Sequence, residues 1–299
     1  MRRNAGALNG TGVAAINRRA EPKSHTASVR GITLHYVDWG DCGPPLLMLH
    51  GDMRTSRSWD AVARDLSSRF RVIAMDARGH GGSDWTPRGY AFRERAEDLT
   101  AFCEHLGLSG LIGVGHSTGG VVMSLLAQAR PGIFSRLVLL EPMVVVDEAF
   151  HRMVSARAGQ PRRTWATRAD LREHLEQHPV ARRWRSDVIE AVVAHEGVEL
   201  PDGSIDMKWS PHSLNWAERD GDYHDLKPFL RDSGVPILFI TSEARRGNFE
   251  DLIAIATEAS DFELLVINGT DHNMYMERPD AVSRAIGDFV DGKRLPTAL

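Results

Sequence analysis

The sequence predicts an α/β protein, with a mostly parallel sheet and helices on both of its faces. Three observations predict it. Short apolar runs without polar alternation, such as PLLML from Pro45 and LIGVGH from Leu111, suit strands buried on both faces. Helix-period segments stand between these runs, and the strand–helix–strand rhythm repeats. A chain of 299 residues can bury such a core as one large domain, with room for an inserted segment.

Taken in order, ASVRGITLHYVDWG reads as two short strands joined by a turn at Arg30-Gly31. The run from Pro45 to Gly51 is a buried strand, SRSWDAVARDLSS is helical in period, and RVIAMDARG is a second buried strand. AFRERAEDLTAFCEHLGL places Phe92, Ala96, Leu99, Phe102 and Leu106 on one side of a helix. GLIGVGHS is a strand, GGVVMSLLAQARPG a helix closed by Pro-Gly, and SRLVLLEP a strand. From Met143 to Ser233 no buried strand is evident, only polar helix-like segments rich in Arg and Trp. The alternation then resumes with VPILFITS, FEDLIAIATEA, FELLVING and PDAVSRAIGDFV. The expected organisation is a core of residues 23–142 and 234–299, with a helical cap, 143–233, inserted after the sixth strand. Residues 1–22, basic and Gly/Ala-rich, read as a flexible tail.

Composition excludes several classes of function. A net charge of −4 gives no general attraction to nucleic acid or to an anionic membrane. Cys42 and Cys103 are too few for a disulfide framework and fit a reducing compartment. No apolar run approaches the roughly 18 residues of a spanning helix, and the N-terminus lacks the apolar stretch of a signal peptide. The expectation is therefore a cytoplasmic protein whose partners are a small-molecule substrate and, at most, a second copy in a homodimer. The histidines lack metal-ligand spacing, and no lysine follows GHSTGG as a phosphate loop requires. No metal and no cofactor is expected.

The chemistry concentrates in GVGHSTGG, residues 113–120. Gly115-His116-Ser117-Thr118-Gly119 fits a G-x-S-x-G nucleophile elbow, with the buried strand before it and the helix after it that this turn requires. A Gly-rich turn carrying an idle serine would match the pentapeptide alone, but not its setting. A serine hydroxyl needs a base to take its proton. His272, in NGTDHNMYMERPDAV between the last strand and the last helix, stands in the right chain order for that base. The oxyanion of an acyl-transfer intermediate would lie against the backbone N–H groups of Thr118 and of Asp52, in the HGDMRTSRSWD loop. A carboxylate there would oppose an oxyanion, so the Asp52 side chain is expected to turn away and cap the next helix, or else to contact substrate.

HGDMRTSRSW, DARGHGGSDW, GHSTGG and GTDHNMYMERPDAV, in this order, resemble the α/β-hydrolase superfamily over about residues 25–290, most weakly across 143–233. The resemblance implies the α/β-hydrolase fold, with an eight-stranded, mostly parallel sheet, and chemistry shared by esterases, lactonases, carbon–carbon hydrolases, amidases and perhydrolases. Members with an aspartate nucleophile, such as epoxide hydrolases, are excluded as a model of mechanism by Ser117. At one place the chain departs from the family pattern. The strand VPILFITS should end in glycine, with the triad aspartate three residues on; here Ser242 and Arg245 occupy those places. An arginine cannot orient an imidazole through its Nδ1–H. Some relatives carry the acid on the strand after the nucleophile helix, which here ends in Glu141, the expected acid. Glu243, Glu250 and Asp251 are the alternatives.

The expected function is thus ester or lactone cleavage of a small organic acid or aromatic metabolite by Ser117, His272 and Glu141. Carbon–carbon or amide hydrolysis uses the same triad, and a binding protein that lost turnover is the reading from another class. Within 151–187, Arg152, Arg157, Arg162, Arg163, Arg168, Arg172, Arg182, Arg183 and Arg185 outnumber the acids. They read chiefly as a solvated helical face, or else supply one or two arginines to a substrate carboxylate. Trp165, Trp184, Trp209 and Trp216 read as cap packing.

Overall fold

A computed structural model describes residues 21–40, 42–158, 160–214 and 223–299. The expected tail lies almost wholly in residues 1–20, outside the described residues, as does Trp216. Strands β1 (Lys23–Val29) and β2 (Ile32–Asp38) form a hairpin across Arg30-Gly31, both at positive φ. There follow β3 (Pro45–Leu49), α1 (Asp60–Leu66), β4 (Arg71–Met75), α2 (Phe92–His105), β5 (Leu111–His116), α3 (Thr118–Ala129) and β6 (Phe134–Leu140).

The segment after β6 contains β7 (Val145–Val146), α4 (Glu148–Ala158), α5 (Arg168–Gln177), α6 (Ser186–His195), β8 (Gly197–Glu199), β9 (Ile205–Met207), β10 (His224–Asp225) and α7 (Lys227–Arg231). The chain then returns to the sheet with β11 (Ile237–Ser242), α8 (Glu250–Glu258), β12 (Phe262–Ile267), α9 (Met274–Glu277) and α10 (Pro279–Val290). The eight-stranded sheet has the order β1-β2-β4-β3-β5-β6-β11-β12. Its first three strands pair antiparallel and the rest parallel.

The central strands are buried on both faces, as their unbroken apolar runs demand. Leu46, Met48, Val114 and Leu140 pack on one side with α1 and α10, while Leu47, Leu49, Leu111 and Leu139 pack on the other with α2 and α3. On α2, Phe92, Ala96, Leu99 and Phe102 are buried as the period predicts.

The expectation of an inserted segment without strands is corrected. β7 pairs with β10 and β8 with β9, each as an antiparallel pair of two or three residues. Strands this short carry no readable period. The inserted segment rests on the loops that follow the C-terminal ends of β3, β4 and β12. Gly81 N–H donates to Lys208 O (2.8 Å), Ser210 N–H to Gly79 O (2.7 Å), and Arg185 N–H to Met276 O (3.0 Å). Ser58 Oγ donates to Glu196 Oε1 at 2.7 Å.

The glycines around Ser117 are required by close approach. A Cβ on Gly119 would stand 2.4 Å from Leu49 O, and one on Gly115 would stand 2.7 Å from Gly119 O and from the Cα and N of Gly120. All of these atoms are backbone and cannot rotate away. Gly115→Ala should therefore lower the free energy of unfolding by about 1–3 kcal/mol, the usual range for overpacking. Gly247→Ala, with nothing within 4 Å of its Cβ position, should change it by less than about 0.5 kcal/mol. Urea melts of the two variants check the contrast, and equal losses would refute it.

Candidate active site

Ser117 sits between β5 and α3 at φ 51°, ψ −119°, a left-handed conformation rare outside glycine. Such a conformation costs on the order of 1–3 kcal/mol and persists only where the surroundings impose it. Here Ser117 N–H donates to Leu140 O at the end of β6 (2.9 Å), and Ser117 O accepts from Gly120 and Val121 N–H. The turn lifts the side chain off the sheet edge at the N-terminus of α3. A Cβ on Gly51 would lie 3.0 Å from Ser117 Cβ, so the loop after β3 passes directly beside the hydroxyl.

The first residue past β6 is Glu141, also left-handed at φ 43° and only 2% exposed. Its Oε2 accepts a hydrogen bond from His272 Nδ1 at 2.7 Å. Its Oε1 accepts from Ser242 N–H (2.7 Å), Ser242 Oγ (2.6 Å) and Thr241 Oγ1 (3.0 Å). Burial alone would raise the Glu141 pKa. The His272 bond and charge, together with both donors of Ser242, outweigh it and hold the carboxyl below its ordinary value.

The other candidate acids are engaged elsewhere. Glu243 Oε2 accepts from Gly269 N–H (2.8 Å), Asp251 pairs with Lys227 (2.6 Å), and Glu250 is exposed in the first turn of α8. Arg245, at the place where the family pattern puts aspartate, donates through Nε to Asp271 Oδ1 (3.0 Å) and lies 3.9 Å from Glu141 Oε2.

His272 follows β12, and two further contacts hold it. Its N–H donates to Asp271 Oδ1 (2.7 Å), and its carbonyl accepts from His116 Nε2 (2.9 Å). Donating to a carbonyl makes His116 the Nε2–H tautomer. Burial first, and the neighbouring His272 second, hold its pKa well below the ordinary histidine value. His116, which directly precedes Ser117, thus links the elbow to the loop that carries His272.

Among the described residues, neither Asp52 N–H nor Thr118 N–H has a hydrogen-bond acceptor. The loop after β3 is pinned by the DARGHG turn after β4. His50 Nε2 accepts from Ala77 N–H (3.0 Å), His80 Nε2 accepts from Met53 N–H (3.3 Å), and Asp76 Oδ1 accepts from Ser56 N–H (2.6 Å). Each histidine uses its other ring nitrogen on a carbonyl, and burial lowers both pKa values, so both rings are neutral.

The expected role for the Asp52 side chain is corrected. It caps nothing. Thr55 caps the short 3₁₀ turn Ser56–Trp59, while Asp52 Oδ1 accepts from Arg95 Nη1 (2.7 Å) and Thr118 Oγ1 (3.3 Å).

The arginines of the inserted segment have mostly local partners. Arg162 is held by Asp206 (2.6 Å) and stacks on Trp209 (4.3 Å), Arg168 donates to Val193 O and Gly197 O, and Arg172 pairs with Glu190. Arg183 pairs with Glu277, Arg185 with Asp187 and Arg152 with Glu148. Arg163 lies over Trp165, whereas the Arg157 side chain is outside the described residues. Ser242, Arg95, His116 and Arg54 were missed as site residues by sequence reasoning. Arg54, on the loop after β3, lies 5.0 Å over the Trp184 ring and 3.2 Å from the fully buried Glu196. Among the described residues no group of histidine, cysteine or acidic side chains is arranged to hold a metal, and no helix is long and apolar enough to cross a membrane.

Comparison with known proteins agrees with this architecture. The chain is similar to 2-(acetamidomethylene)succinate hydrolase of Mesorhizobium japonicum, 26% identical over 276 residues that cover 90% of this chain and 95% of that protein. It is 28% identical to the non-heme haloperoxidase of Rhodococcus erythropolis, over 87% of this chain and 97% of the relative. The crystal structure of E-2-(acetamidomethylene)succinate hydrolase superposes with a TM-score of 0.78 at 24% identity, covering 91% of this chain and all of that one. Residues 46–285 match the alpha/beta hydrolase family. With the sheet order, the elbow and this match together, the chain belongs to the alpha/beta hydrolase family.

Proposed function

We propose that the chain is a serine hydrolase that cleaves an ester or lactone of a small organic metabolite through an acyl-enzyme. Ser117 Oγ attacks the substrate carbonyl while His272 Nε2 takes its proton. Glu141 holds Nδ1–H, which sets the tautomer and stabilises the imidazolium. The N–H groups of Asp52 and Thr118 hold the oxyanion, and His272 returns the proton to the leaving oxygen. Water then attacks the acyl-enzyme with His272 as base, and Ser117 is restored. The observation that carries this reading is the 2.7 Å bond from His272 Nδ1 to a buried carboxylate whose other side-chain hydrogen bonds, among the described residues, all come from β11.

An amide is the second reading. It is favoured by the relative that spans nearly the whole chain and is named for an acetamido-substituted succinate. The inserted segment would act as the cap over this site.

Labelling with a fluorophosphonate probe tests the nucleophile. Wild-type protein should react and Ser117→Ala should not, whereas well-folded wild type that resists the probe would favour a binding protein over an enzyme. Glu141→Gln should reduce turnover by about two to four orders of magnitude, the upper end matching the known carboxylate-to-amide change in a serine protease triad. Glu243→Gln and Asp251→Asn should each cost less than about tenfold. A substrate panel of esters, lactones and amides then assigns the bond.

The support for Glu141 can be tested through stability. Ser242→Ala removes the 2.6 Å hydroxyl bond but leaves the backbone one. At neutral pH it should lower the free energy of unfolding by about 1.5–3 kcal/mol, the range for hydrogen bonds to charged groups. The native Glu141 pKa lies below its unfolded value, so the contribution of the ionised carboxylate is full above the ordinary carboxylate pKa. It is lost as pH falls through the native one. The gap between wild type and variant should therefore narrow as urea melts are moved into the acid range, and a gap that widens there would contradict the assignment.

A further inference from the structure

We infer that the Asp52 carboxylate reads a hydrogen-bond donor on the acyl part of the substrate, which makes N-acylamino and hydroxy acid derivatives the favoured substrate class. The inference rests on the serine-hydrolase reading and concerns the same site.

The geometry is unusual for a residue whose N–H is offered to an oxyanion. Asp52 has a side chain only 9% exposed, and its two oxygens are treated differently. Oδ1 takes the Arg95 guanidinium and the Thr118 hydroxyl, whereas Oδ2 is buried and has no hydrogen-bond partner among the described residues. Arg95 makes no bond to Oδ2. Its Nε donates to Tyr90 O (2.9 Å) and its Nη2 to Ser213 O (2.5 Å). His80 Nε2 is 3.9 Å from Oδ1, but it accepts from Met53 N–H and so carries no proton for Asp52.

A buried carboxylate oxygen without a donor is costly. A donor brought by the substrate would satisfy it. The carboxylate bridges the two residues whose N–H groups are offered to the oxyanion, Asp52 and Thr118. A donor one or two bonds from the scissile carbonyl is the group that Oδ2 would read. Arg95 offsets the negative charge, which removes the objection that an anion beside the oxyanion would oppose it. A bare acyl chain leaves Oδ2 unsatisfied, and an acyl chain bearing a carboxylate at that place would be repelled.

The test uses two esters with the same heavy-atom skeleton. Ethyl N-acetylglycinate carries an N–H where ethyl 4-oxopentanoate carries a CH₂. Rates of hydrolysis by the full chain are followed by pH-stat, and each kcat/KM is divided by the ester's own hydroxide rate. Wild type should favour the N–H ester by about tenfold or more, as for a buried bond to a charged acceptor. In Asp52→Asn the amide oxygen must face Arg95, which puts the NH₂ group where Oδ2 stood. Donor then meets donor, and the ratio should fall to about one or invert, whatever the absolute rates.

A wild-type ratio near one overturns the inference, and so does an unchanged ratio in Asp52→Asn. If the variant does not fold, the wild-type ratio decides. Equal normalised rates, or no hydrolysis of either ester, from protein that labels at Ser117 refute the role of Asp52 alone. Failure to hydrolyse either ester together with failure to label refutes the hydrolase reading, and this inference with it.

Discussion

A carboxylate taken out of water must be given donors, and the arrangement of this sheet edge follows from how Glu141 receives them. The residue is 2% exposed, held in a left-handed turn, and placed where β6 gives out between β5 and β11. Left unpaired, such a charge would neutralise by taking up a proton. Instead one oxygen takes both donors of Ser242 and the Thr241 hydroxyl, which leaves the other free for a single directed bond to His272 Nδ1. Glycine at position 242 could supply the N–H but not the hydroxyl. The serine hydroxyl there supplies the third of the three donors to Glu141 Oε1.

The loop after β3 shows the same economy with neutral groups. Its backbone runs within van der Waals contact of Ser117, with Met53 left-handed at φ 62°. It is held by two buried imidazoles that accept from backbone N–H groups and by the Asp76 carboxylate. Burial keeps both rings uncharged, so they fix the loop by hydrogen bonds without adding charge beside Ser117.

Much of this was legible in the sequence. Long apolar runs and helix periods located the sheet and its flanking helices to within a few residues at each end. Ser117 could be picked out because an elbow needs glycines at fixed offsets, and His272 because chain order singles it out among 13 histidines. Glu141 followed from noticing what position 245 could not do. The strands of the inserted segment stayed hidden because pairs of two or three residues have no period. The fate of Asp52 stayed hidden because its partner Arg95 lies 43 positions away on another helix. The partners of the arginines in the inserted segment stayed hidden for a related reason. They include the carbonyls Val193 O, Gly197 O and Gly269 O, which composition cannot reveal.

Arg245 shows how a break in a family pattern can be absorbed. A cation at the usual place of the acid would, standing alone, compete with His272 for Glu141. It is turned instead onto Asp271, whose same oxygen Oδ1 accepts the His272 backbone N–H. The nearer contact is the one at 3.0 Å to Asp271, and the 3.9 Å approach to Glu141 is long for a hydrogen bond. The arginine therefore acts on the loop more than on the acid. Together with the bond from His116 to the His272 carbonyl, the Arg245–Asp271 pair ties the base down on both sides of its Cα. An imidazole fixed this way at its backbone and at Nδ1 keeps Nε2 without a hydrogen-bond partner among the described residues, and that is the atom the proposed proton transfer requires.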